Sequence, residues 1–116
     1  MTAKLQIHIG KSLIDSKHRV LDAVARYKRG ERVIENHVTF ESWNALAKVM
    51  TDKRYQMLRH LREHPTSSIR ALADALGRDY KRVHGDVHAL TAAGLVAHDN
   101  NIYRAEYDVI QTTVPL

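Results

Sequence analysis

Residues 69–95 constrain the fold of this chain more than any other stretch. Ile69, Leu72, Ala73 and Leu76 fall on one face of a helix that Gly77 closes. Val83, Val87 and Leu90 then recur at i, i+4 and i+7, one face of a second helix running from Asp79 to about residue 93, and Gly94 closes that one. Ser67 or Ser68 supplies the N-cap of the first helix. Ala73, Gly77 and Val83 stand four and then six residues apart. A helix-turn-helix needs such a set. A small residue lets the second helix cross closely, a glycine takes the left-handed backbone of the turn, and an apolar residue faces inward from the second helix.

On a helical wheel of about 100° per residue, Lys81, Gly85 and His88 lie opposite the Val83/Val87/Leu90 stripe. Arg78 is expected to point the same way from the start of the helix, with Arg82 and His84 flanking the arc. Cations near the N-terminal end of such a helix are where base edges are met in the major groove. Arg and Lys donate to guanine O6 and N7, and all of these side chains can contact phosphates. Gly85 has no side chain to hold a duplex away.

After Gly94 the period changes. Residues 95–98 and 102–105 read as two strands around an Asp99-Asn100-Asn101 turn, because Asn and Asp tolerate left-handed backbone. A hairpin there acts as a wing, with His98, Asn100, Asn101 and Arg104 available to the DNA backbone or minor groove. Lys53, Arg54, Arg59, Arg62 and Arg70 add basic charge on the preceding helices. The candidate DNA-binding residues are Ser67, Ser68, Arg78, Lys81, Arg82, His84, His88, Asn100, Asn101 and Arg104, with double-stranded DNA as the partner.

Upstream, residues 4–9 alternate as a half-buried strand, and Gly10 stops them. Ser12 caps a helix over 13–28 with Leu13, Val20, Leu21, Val24 and Tyr27 inward, and the β-branched residues of 31–40 favour an extended segment. Ser42 caps a short helix carrying Trp43, Leu46, Val49 and Met50. Thr51 caps the next, over 52–64, with Tyr55, Met57, Leu58 and Leu61 on one side and Pro65 barring its continuation. Trp43 is expected as a core or interface anchor, and Tyr80 as a packed ring whose hydroxyl reaches a phosphate. Residues 109–114 form a last strand, a partner for one of the earlier extended segments. The expected class is therefore α+β: a strand-helix-strand arm over 1–40, serving a homodimer or a protein partner, and a winged helix-turn-helix over 41–116.

The 116 residues suit one domain with such an arm, and 44% hydrophobic residues provide for a core. A net charge of +5 favours a polyanionic partner. Absence of cysteine excludes a disulfide framework and a thiolate zinc site. No signal peptide is visible and no apolar run approaches the roughly 20 residues of a membrane span. The expectation is a cytoplasmic protein with no membrane partner. No Gly-rich phosphate loop, nucleophile elbow or Cys/His pair is found, so an enzyme is not expected. The pairs His60/His64 and His84/His88 are spaced to place two imidazoles on one metal. With no cysteine and no carboxylates clustered beside them, solvated or phosphate-contacting imidazoles are the expected fate, and no metal or cofactor is expected.

Phe40-Glu41-Ser42, Thr51-Asp52-Lys53-Arg54, the block Leu76-Gly77-Arg78-Asp79-Tyr80-Lys81-Arg82-Val83-His84, then Asp86-Val87, Leu90, Gly94-Leu95 and the ending Val114-Pro115-Leu116 carry a resemblance. From Phe40 onward the chain resembles winged-helix transcriptional regulators of bacteria and archaea within the MarR/ArsR-like superfamily. Members resemble the antitoxin or autoregulator halves of toxin–antitoxin operons, often beside a RelE-like toxin gene. The resemblance implies an autoregulating repressor, acting as a dimer, with a toxin protein as a further partner. The alternative it leaves is a stand-alone repressor responsive to a metal or ligand. The sequence departs from the family at Gly85, where a polar residue is usual, and at the Asn100-Asn101 tip.

Overall fold

A computed structural model describes residues 2–10 and 33–116. In chain order its elements are β1 (Thr2–Ile9), β2 (Val33–Phe40), α1 (Trp43–Val49), α2 (Asp52–Glu63), α3 (Ile69–Leu76), α4 (Tyr80–Ala92), β3 (Ala97–Asp99), β4 (Ile102–Arg104) and β5 (Val109–Thr113). The fold is α+β, with four helices and two small sheets among the described residues. The helix expected over 13–28 lies outside them. Two units separate: Met1–Ala45 with Tyr107–Leu116, and Leu46–Glu106.

The first unit is built on a parallel sheet of order β2-β1-β5. Strand β1 runs in register with β2 from Thr2 opposite Val33 to Ile9 opposite Phe40. On its other side Lys4 faces Val109 and His8 faces Thr113. The expectation that 109–114 pairs with an extended segment is met by β1. Asp108 makes the junction, accepting from the Ala3 amide at 3.1 Å through its carboxylate and donating its own amide to the Ala3 carbonyl at 2.7 Å. Alternation on β1 places Leu5, Ile7 and Ile9 in the core and leaves Lys4, Gln6 and His8 half-exposed. Across the polar face Gln6 donates to Gln111 at 2.6 Å, and the His8 and His37 rings meet at 3.0 Å.

The second unit follows from three capped helices. Thr51, Ser68 and Asp79 each accept, through a side-chain oxygen, from the amide three residues on, so each turn of chain into a helix is fixed by a residue type suited to it. Met57, Leu58 and Leu61 of α2, Leu72 and Ala73 of α3, and Val83, Val87 and Leu90 of α4 make one buried cluster of faces, completed by Leu95, Val96, Tyr103 and Ala105. Gly77 turns α3 into the short link to α4 at φ 64°, and the Arg78 amide then donates to the Ala73 carbonyl at 3.0 Å. A β-carbon at Gly77 would meet nothing within 4 Å, so only the left-handed backbone opposes substitution. Gly77→Ala is expected to cost about 1 kcal/mol, read as a shift in urea midpoint with an unchanged slope. A loss several times larger would mean that the link cannot carry a side chain at all.

Beyond α4, the amides of Leu95 and Val96 both return to the Leu90 carbonyl, at 2.9 and 3.3 Å, with Gly94 left-handed at φ 83°. This closure buries Leu95 and Val96, so the strand expected from residue 95 begins only at Ala97. Strands β3 and β4 are antiparallel, with Ala97 opposite Arg104 and Asp99 opposite Ile102. Asn100 and Asn101, at φ 49° and 62°, form the two-residue loop that suits strand twist when both positions are left-handed. His98 stacks on Tyr103 across the pair, centroids 3.8 Å apart. Thr66 adds one further rung, exchanging both backbone hydrogen bonds with Tyr103 at 2.8 and 3.2 Å. The order in this unit is thus helix, bridging residue, helix, helix, hairpin.

Two expected core residues face water instead. Trp43 is 58% exposed and Tyr55 45%. Trp43 is the first residue of α1, and the buried residue of that helix is Leu46. Trp43 is therefore not a core anchor.

Candidate nucleic-acid interface

Helix α4 carries the candidate surface. Its buried stripe of Val83, Val87 and Leu90 fixes the azimuth of every other residue on it. Lys81, Arg82, His84, Gly85 and His88 are all exposed, and their wheel positions form one arc on the far side. A side chain built at Gly85 would meet nothing within 4 Å, so the surface there is open. Within the arc His84 and His88 bring their Nε2 atoms to 3.2 Å, with ring centroids 4.3 Å apart. Tyr80, at the start of the helix, is 38% exposed rather than packed inward. The Arg70 guanidinium of α3 lies 4.7 Å from its ring centroid, a cation–π contact that ties the two helices.

Arg78 does not join this arc. Its guanidinium turns back to Asp86, donating from Nη2 to Oδ2 at 2.7 Å, and its side chain is only 17% exposed. Arg54 of α2 donates from Nε to the other oxygen of the same carboxylate at 3.0 Å. Arg54 also donates from Nη1 to the carbonyls of Val49, at 2.9 Å, and Lys48, at 3.4 Å, which lie at the end of α1. One carboxylate therefore gathers α2, the α3–α4 link and α4, and one arginine extends the tie to α1. Burial by itself would push the Asp86 carboxyl up, but the hydrogen bonds and charges of Arg78 and Arg54 outweigh it and hold the carboxyl below the usual aspartate range. The carboxylate is thus ionised, and one of the two positive charges facing it is left over.

The remaining candidates divide. Ser68 spends its hydroxyl on the Ala71 amide at 3.0 Å, while Ser67 is exposed. Asn100 and Asn101 are exposed at the hairpin tip. Arg104 stands 3.9 Å from Asp99 and 3.6 Å from Glu106, so hairpin carboxylates offset its charge. The structure thus brings Lys81, Arg82, His84 and His88 together on α4, commits Arg78 and Arg104 to ion pairs within the chain, uses the Ser68 oxygen as a helix cap, and carries Ser67, Asn100 and Asn101 exposed on segments other than α4. Sequence reasoning missed the Asp86 clamp and the Arg70–Tyr80 contact. The available signal was a lone acid on the flank of an otherwise basic helix.

Among the described residues no three His, Asp or Glu side chains converge as a metal site, and no helix is long and apolar enough to cross a membrane. The chain belongs to the HVO_A0114 family, whose profile matches residues 49–112. No curated protein and no solved structure matches the chain.

Proposed function

We propose that the chain is a DNA-binding transcriptional regulator with a winged helix-turn-helix, α4 lying in the major groove and the β3–β4 hairpin serving as the wing. The observation that carries this reading is the exposed arc of Lys81, Arg82, His84, Gly85 and His88 on a helix held rigidly from behind by three buried aliphatic residues and the Asp86 clamp. Base readout requires donors on a mount that does not yield, because a misplaced fork loses its second hydrogen bond. The order of helix, bridge, helix, helix and hairpin supports the same reading, as does the net charge of +5. In this reading the regulator represses its own promoter by occupancy. A homodimer would set two α4 helices about one DNA turn apart. A toxin partner rests on the resemblance alone and forms no part of the proposal.

Fluorescence anisotropy with a labelled duplex from upstream of the gene, against a scrambled duplex, tests the reading. With about four phosphates neutralised, affinity should fall on the order of a hundredfold between 50 and 200 mM salt, and the native sequence should be preferred throughout. Equal, salt-insensitive binding of both duplexes would falsify it.

A further inference from the structure

We propose that His84 and His88 form a bidentate clip for a divalent transition cation on the exposed face of α4. The sequence offers two histidine pairs at i and i+4, and their geometries differ. The His84 and His88 Nε2 atoms converge to 3.2 Å, whereas the His60 and His64 rings stand farther apart, with centroids at 4.9 Å against 4.3 Å. Two imidazole nitrogens each about 2.0–2.1 Å from one ion, and 3.2 Å from each other, subtend about 100° at that ion. That angle lies between the cis angle of a square-planar or octahedral site and the tetrahedral one. The clip therefore closes on a cation without movement of the backbone.

The rest of the helix keeps this geometry in place. Both rings rise from one continuous helix, four residues apart, anchored by Val83, Val87 and Leu90. Both are exposed, so solvent can supply the remaining ligands. Without a cation, nitrogens this close are held by a single proton, one Nε2 donating and the other accepting. Binding moves the donor ring to its Nδ1–H tautomer, which frees both Nε2 lone pairs and consumes no further reactant. Two neutral imidazoles with no thiolate and no carboxylate select copper(II), nickel(II) or zinc over magnesium and calcium. The clip shares its two rings with the arc proposed to meet DNA, but metal uptake needs only these rings and is read without DNA.

Calorimetric titration of the full chain with nickel chloride, and the copper(II) EPR spectrum, test it. The expected result is loss of one metal equivalent, or at least a roughly tenfold weaker one, in both His84→Gln and His88→Gln. The copper signal of two equatorial nitrogens should be lost with it, and His60→Gln should retain both. Far-UV circular dichroism establishes that the variants are folded, since both side chains are exposed. The proposal is overturned if wild type takes up no metal at micromolar concentrations. It is equally overturned if His84→Gln and His88→Gln bind as wild type does, or if only His60→Gln loses the site.

Discussion

Lys81→Ala and Arg82→Ala together should lower affinity for the upstream duplex by about two orders of magnitude or more, since each lost base or phosphate contact is worth about 1–3 kcal/mol. Each single variant should show a part of that loss. Both side chains are exposed, and neither has a place in the buried core of the unit. The bond that Arg82 makes at the helix start runs from its backbone amide to Asp79, at 3.2 Å, and survives truncation of the side chain. Stability should therefore stay within about 0.5 kcal/mol of wild type. A phosphate contact also leaves its mark on the salt dependence, whose slope should shrink by about one for each phosphate no longer neutralised. If affinity falls while the slope holds, the lost contacts were to base edges. If both variants bind the duplex as tightly as wild type, α4 is not the reading helix.

The contrast with Arg78 shows what the sequence could convey. Periodicity states which way a residue faces relative to the buried stripe, and on that ground Lys81, Arg82, His84, Gly85 and His88 were legible as one arc. Local chemistry was legible too. Thr51 and Ser68 cap where hydroxyl residues precede apolar periods, and Gly77, Asn100 and Asn101 take left-handed backbone where small or amide residues allow it, whereas Asp79, read as the first helical residue, is the cap of α4. Partners distant in sequence were not legible. Arg78 finds Asp86 eight residues on, and Arg54 finds it across thirty-two, and no wheel shows that an arginine at the start of a helix folds back on an acid of that helix's flank. The same limit hid the choice of β1 as partner for β5, a pairing 105 residues apart at Lys4 and Val109. The onset of β3 slipped by two residues because the return of two amides to Leu90 takes up Leu95 and Val96, and strand propensity does not register that bond.

Asp86→Ala should destabilise the chain by about 2–3 kcal/mol, more than Gly77→Ala, although Asp86 lies on the helix proposed to read DNA. The side chains of Asp86, Arg54 and Arg78 are 16%, 20% and 17% exposed, so truncation leaves two mostly buried guanidinium groups facing no counter-charge. Breaking a fully buried pair costs about 3–5 kcal/mol, and the residual contact with water brings the figure down. Asp86→Asn, which keeps an acceptor oxygen but not the charge, should fall between the two. The pH dependence has a defined sign. The folded carboxyl titrates below its unfolded value, so the unfolded chain binds more protons across that interval and stability rises with pH there. The contribution is complete above the ordinary aspartate range, near pH 4, and is lost as pH falls further. Urea midpoints measured on both sides of that range should therefore converge for wild type and Asp86→Ala at the acid end. Parallel curves would mean that the clamp adds nothing through its charge. The duplex assay then separates two roles that one helix combines. Asp86→Ala should lose affinity only as far as it loses its fold, whereas Lys81→Ala and Arg82→Ala lose affinity with the fold intact.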